Sequence, residues 1–113
     1  VFESLVLGAK AGVDPETLAN VINSSVAASP LIKNCAQKIL DRTFVGTGSA
    51  IGTYYKDVCI TMDLAKESGV PMFTTSQVQQ LFQAGITKFP KEDNWSVVKI
   101  LEDIAGVEVK KGK

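Results

Sequence analysis

Lys56 and Asp57 interrupt a long apolar helical stretch, and they are the first candidates for chemistry in this chain. A charged pair at that place must reach solvent, pair internally or face a cleft. Two readings of Lys56 stay open on pattern alone. One is a long side chain snorkelling to water beside an exposed Asp57. The other is a cation set near a helix N-terminus to hold an anionic ligand. A lysine does nothing for the macrodipole at that end, so it invites a positional purpose. Asp63 lies one heptad after Lys56 and could join Glu67 as an acid–base pair, but nothing else converges on them and they read as solvated acids. Gly46-Thr47-Gly48 resembles part of a phosphate loop without its third glycine, preceding strand or lysine, and reads as a flexible connection. Trp95 and Phe82 could stack on a flat ligand, although core or subunit packing is the simpler use of both.

The residues that are missing narrow the chemistry further. There is no histidine, and the two cysteines, Cys35 and Cys59, form no CxxC pair. No metal site is expected, and no Ser–His or Cys–His couple can be assembled. Both cysteines fall in apolar helical patterns and are expected to be reduced core thiols of a cytoplasmic protein. Lys+Arg and Asp+Glu stand at 12 each, so no basic excess exists to neutralise nucleic-acid phosphates. The basic cluster Lys110, Lys111 and Lys113 reads as a solvated tail. No apolar run has the length of a membrane span, and no signal peptide is visible.

The elements that must position these residues are helical throughout. At 113 residues the chain suits one domain. Phe2, Leu5, Val6 and Ala9 show helical spacing with no capping residue ahead of them, as if the chain opened inside a helix. Asp14-Pro15-Glu16 and Ser29-Pro30 are N-cap and first-turn signals for two more helices. The second carries a double stripe of Leu31, Ile32, Cys35, Ala36, Ile39 and Leu40. A long helix from about residue 50 to Ser68, stopped by Gly69, is apolar nearly all round and is expected to be the most buried. Thr75 or Ser76 is expected to cap a fifth helix, and Asp93 a sixth with Val97, Leu101 and Ile104 inward. The fold class is therefore all-α with about six helices over residues 1–106, followed by a frayed or extended tail over 107–113.

Taken together, several segments resemble the C-terminal helical domain of the β-hydroxyacid dehydrogenases. That family includes 3-hydroxyisobutyrate dehydrogenase, tartronate semialdehyde reductase and L-threonate dehydrogenase. Phe44 to Ala65 (FVGTGSAIGTYYKDVCITMDLA) is similar to the family's stretch of an aromatic, a small-residue turn and Lys-Asp-Leu, with Val58 in place of the leucine. Ala11 to Glu16 (AGVDPE) resembles its AGLDPE segment, Val21 to Ser25 (VINSS) its VLNSS-like end, and Gly69-Val70-Pro71 its G-x-P. Gly85, Asp93 and Ser96 fall roughly where the family has a glycine and then Asp-x-x-Ser. The likeness covers residues 1 to about 106.

The resemblance implies an NAD(P)-dependent oxidoreductase moving hydride between a small β-hydroxy acid and a nicotinamide. It also implies an N-terminal Rossmann domain, absent from this chain, and a helical domain that caps the cleft and makes most dimer contacts. The family's catalytic lysine, in a G-x-x-x-K-x-x-N motif, is expected upstream of Val1. Lys10 precedes Ala11-Gly12 at the far end of the first helix and is not that residue, so no catalytic residue is carried over. Lys56 alone transfers, as the family's lysine that approaches NAD or NADP. The chain by itself is expected to be inactive. Two alternatives are a stand-alone helical dimerisation module and the helical domain of a 6-phosphogluconate- or imine-type dehydrogenase.

Overall fold

A computed structural model describes residues 1–112. Its elements run α1 (Phe2–Lys10), α2 (Pro15–Asn23), α3 (Pro30–Leu40), α4 (Ile51–Ser68), α5 (Phe73–Lys88), a 3₁₀ turn (Asn94–Val97) and α6 (Val98–Ala105). The all-α expectation holds; an isolated bridge between Ala50 and Asp93 is the sole β-type pairing among the described residues. The start signals act as the sequence implies. Asp14 accepts the Thr17 N–H at 3.1 Å and Ser29 accepts the Ile32 N–H at 3.1 Å, each satisfying a donor that the first turn leaves open. Gly69, at φ 71°, turns the chain out of α4, and the Val70 N–H then reaches the Ala65 carbonyl at 2.9 Å. The fifth helix departs from expectation. It begins at Phe73 without a side-chain cap, and Ser76 instead bonds back to the Phe73 carbonyl from within the first turn.

The chain divides into two units. The first comprises Val1–Phe44 and the stretch from Val98 onward. In it α1 packs on α2 and α6, and α2 packs on α3, around a core that includes Leu5, Cys35, Ile39, Leu40 and Val98. Burial pushes the Cys35 thiol up to about 11, so it stays a protonated, inert core residue at neutral pH. On α6 the inward positions are Val98 and Glu102, while Ile104, expected inward, is 82% exposed. A paired carboxylate takes the central buried place, which rotates the helix away from the face its apolar residues alone define.

That carboxylate also anchors part of the stretch expected to be a frayed or extended tail, which has no regular secondary structure over residues 107–110. Val109 is fully buried, and its N–H donates to Glu102 Oε2 at 2.7 Å. Arg42 donates to both Glu102 oxygens, at 2.5 and 3.0 Å, and to the Val109 carbonyl at 3.2 Å. Farther on, Lys111 is not simply solvated: its ammonium lies 2.9 Å from Asp41. Hydrogen bonds from Gln37 and then Lys111 hold the Asp41 carboxyl below its ordinary range, and the same contact pushes Lys111 up. Lys113, the last of the basic cluster, lies outside the described residues.

The second unit, Val45–Val97, sets α4 against α5, with the 3₁₀ turn packed on both. Ile51, Phe82, Trp95 and Val97 are buried, so the two aromatics weighed as ligand platforms include one buried indole and one ring stacked on Tyr54 at 6.0 Å. Gly85 is where α5 meets its neighbours. A Cβ there would lie 2.8 Å from Ile51 Cδ1 and 3.0 Å from Val97 Cγ2. The expectation that α4 is the most buried helix fails. Only Ile51 and Ala65 on it are buried, and Ile60 and Leu64 are 57% and 61% exposed. Within this unit α5 and the turn cover one face of α4, so apolar residues on its other face remain open.

Two stability measurements follow from this packing. Glu102→Ala should destabilise the chain by about 3 kcal/mol, the low end for breaking a buried ion pair because Arg42 keeps some access to water. Amide exchange around Val109 should rise with it, and Glu102→Gln should cost less. Gly85→Ala should lower stability by about 1–3 kcal/mol despite better helix propensity, since Val97 is β-branched and cannot step aside. Denaturant unfolding of the three variants checks both values.

Candidate functional site

The second unit holds the sequence-predicted site residues, and its local architecture begins at the glycine-rich loop. Gly46 and Gly48 both have positive φ, at 78° and 83°, which a glycine adopts without strain. Thr47 between them is pinned: its N–H and hydroxyl both donate to Asp93 Oδ2, at 3.0 and 2.6 Å. Asp93 is buried, and its side chain braces the loop instead of capping a helix as expected. Ser96, also fully buried, donates to Glu92 Oε1 at 2.8 Å. Backbone bonds complete the brace, from Asn94 N–H to the Ser49 carbonyl at 2.8 Å and from Ile51 N–H to the Glu92 carbonyl at 3.0 Å. The Thr47 amide that a phosphate would need already serves an internal carboxylate. Gly46-Thr47-Gly48 is therefore a structural loop that fixes where α4 starts.

With its start fixed, α4 is next fixed in rotation. Tyr55 donates its hydroxyl to Gln83 Oε1, and Gln79 donates to Cys59 Sγ at 3.4 Å, so the face carrying Tyr55 and Cys59 is held to α5. Lys56, one residue on from Tyr55, is consequently exposed in the second turn. No carboxylate among the described residues pairs with it. Asp57 is exposed as well, and only its carbonyl is engaged, by the Thr61 hydroxyl at 3.0 Å. Asp63 and Glu67 are exposed, in keeping with solvated acids. Cys59 is half-buried and Cys35 buried, and both are free thiols. No group of three or more potential metal-ligating side chains occurs among the described residues.

The arrangement offers a cation on a braced element, close to a helix N-terminus without a side-chain cap, and no dinucleotide cradle among the described residues. That combination fits a flanking contact to an anionic or polar cofactor group better than it fits enclosure of one. Sequence reasoning missed the Thr47–Asp93 brace. The signal was present in Asp93 and Ser96, but an aspartate ahead of a helical run reads as a cap unless its distant partner is known.

A family model described as NAD-binding of NADP-dependent 3-hydroxyisobutyrate dehydrogenase matches residues 1–101. The chain belongs to that family. Among relatives, 2-(hydroxymethyl)glutarate dehydrogenase of Eubacterium barkeri is 34% identical, over 98% of this chain and 37% of its own length. L-threonate dehydrogenase of Cupriavidus necator is 31% identical, over 90% of this chain and 34% of its own. The crystal structure of 3-hydroxyisobutyrate dehydrogenase from Salmonella typhimurium superposes with a TM-score of 0.82 at 26% identity, covering 88% of this chain and 35% of that one. This member of the 3-hydroxyisobutyrate dehydrogenase family thus spans about a third of the length of the relatives it matches.

The brace can be tested apart from any activity. Asp93→Ala leaves the Thr47 N–H and hydroxyl without their acceptor and should cost about 1–3 kcal/mol. Faster amide exchange at Thr47 and through the first turn of α4 is the accompanying readout. Unchanged exchange there would show that the loop holds its shape without the carboxylate.

Proposed function

We propose that this chain is the helical, C-terminal domain of an NAD(P)-dependent oxidoreductase that interconverts a small β-hydroxy acid and its carbonyl product. The observation that carries the proposal is Lys56: an exposed cation without a carboxylate partner, held outward by the α4–α5 contacts at the lysine position of the Lys-Asp segment. The family match over residues 1–101 and the hydroxy-acid dehydrogenases among its relatives support the same reading.

In this reading the nicotinamide, NAD or NADP, takes or gives the hydride, bound chiefly by a Rossmann domain outside this chain. Lys56 supplies a fixed positive charge beside the cofactor. The general acid–base lysine belongs upstream of Val1, and no residue of this chain is assigned to catalysis. The remaining partners we propose are the hydroxy acid, the Rossmann domain and further copies of the same chain. Exposed apolar side chains such as Leu64, Phe73 and Ile104 support self-association. Two unpaired thiols accord with a cytoplasmic setting, and no helix among the described residues is long and apolar enough to cross a membrane.

The test is steady-state kinetics on the protein encoded by the whole reading frame, with NAD+ and NADP+ and a panel of β-hydroxy acids. Lys56→Ala should reduce kcat/KM or raise the cofactor KM roughly five- to hundredfold, the range for losing one charge-assisted contact. The melting temperature should barely move, because the side chain packs against little. Wild-type kinetics in the variant would reduce Lys56 to a surface charge, and absence of hydroxy-acid turnover in the wild type would overturn the proposal.

A further inference from the structure

In the first unit, α1 and α6 enclose an open groove of about 290 Å³ whose walls are almost wholly apolar. Leu7, 72% exposed, and Ile104, 82% exposed, stand at this groove, and Glu3 and Lys10 also line it. Two large aliphatic side chains so open to water at a helix–helix groove mark a surface shaped for another helix. The charges say which helix. Glu3 and Lys10 lie one heptad apart, about 10.5 Å along the axis, with Leu7 near their midpoint. An occupant must set a base against Glu3, an acid against Lys10 and an apolar residue between them. Run in the opposite direction, α1 itself offers that pattern.

We propose that this groove is an isologous interface in which α1 of one copy packs antiparallel on α1 of a second. The two-fold axis passes close to Leu7. Glu3 of each copy faces Lys10 of the other, and Ile104 flanks the apolar centre. This rests on the self-association proposed above and adds its face and register.

A simpler account of the two charges exists, since an acid in the first turn and a base in the last each suit the dipole of their own helix. Charge exchange separates the two accounts. The experiment is sedimentation velocity of the 113-residue chain across micromolar concentrations, for wild type, Glu3→Lys, Lys10→Glu and the double variant. All substitutions are at exposed positions, and circular dichroism confirms that each chain is folded. Either single reversal creates two repulsive contacts and should weaken the dimer roughly tenfold or more. The double variant should recover wild-type dimerisation, although its charges now oppose both dipoles. Mixing the two single variants should give a heterodimer that neither forms with itself. A double variant weaker than either single assigns the charges to their own helix and overturns the register. A dimer indifferent to every exchange keeps self-association but moves it to another face, and a wild-type monomer ends both proposals.

Discussion

A single carboxylate organises the first unit. Glu102 is almost fully buried on α6, and it is tolerable there because three donors converge on it: two from Arg42 and the Val109 amide. Arg42 in turn lies directly beyond α3, and its guanidinium also sits over the Phe44 ring, 4.8 Å from the centroid. Lys99 approaches the same ring at 4.6 Å. The end of α3, the middle of α6 and the C-terminal segment are thereby joined by one charged cluster. The apolar core around it fixes only proximity. The ion pair fixes register, because a shift of one residue in any of the three segments leaves a buried charge without its partner.

The second unit uses polar groups for a different purpose. Asp93 defines where α4 begins, and the Tyr55–Gln83 and Gln79–Cys59 contacts define which way it faces. Lys56 owes its position to both. Its chemistry is ordinary, and what sets it apart is that an exposed lysine has been placed on an element fixed in both translation and rotation. That rigidity is what a positioned charge requires, since a flexible ammonium loses in ordering entropy much of what it gains on contact.

Much of the helical frame was legible from local residue chemistry. Asp14-Pro15 and Ser29-Pro30 announced two helix starts, Gly69 announced a stop, and each does what its side chain or its φ dictates. Burial was less legible, for particular reasons. The hydrophobic period of α6 pointed Ile104 inward, because no pattern of apolar residues reveals that a glutamate will occupy the core. The apolar circumference of α4 suggested a central helix, yet in its unit only one face is covered. Val109 carried no helical period and looked like part of a loose tail. It is held in place because an arginine far earlier in the chain donates to its carbonyl and Glu102 accepts from its amide. Of the candidate site, Lys56 was visible through its charge in an apolar run, whereas the Thr47–Asp93 brace was hidden by the long separation between its partners.

Arg42 occupies the left-handed region at φ 55°, directly past the end of α3, where glycine is the usual residue. A side chain at that place is an anomaly unless its far end is needed, and here the far end holds Glu102. The two positions therefore form one heritable character. A lineage that loses the acid at 102 has no remaining reason to carry a strained arginine at 42, and relaxation to glycine or asparagine becomes the downhill path. Regaining the acid first would bury an unmatched charge, so the return route must restore arginine before glutamate.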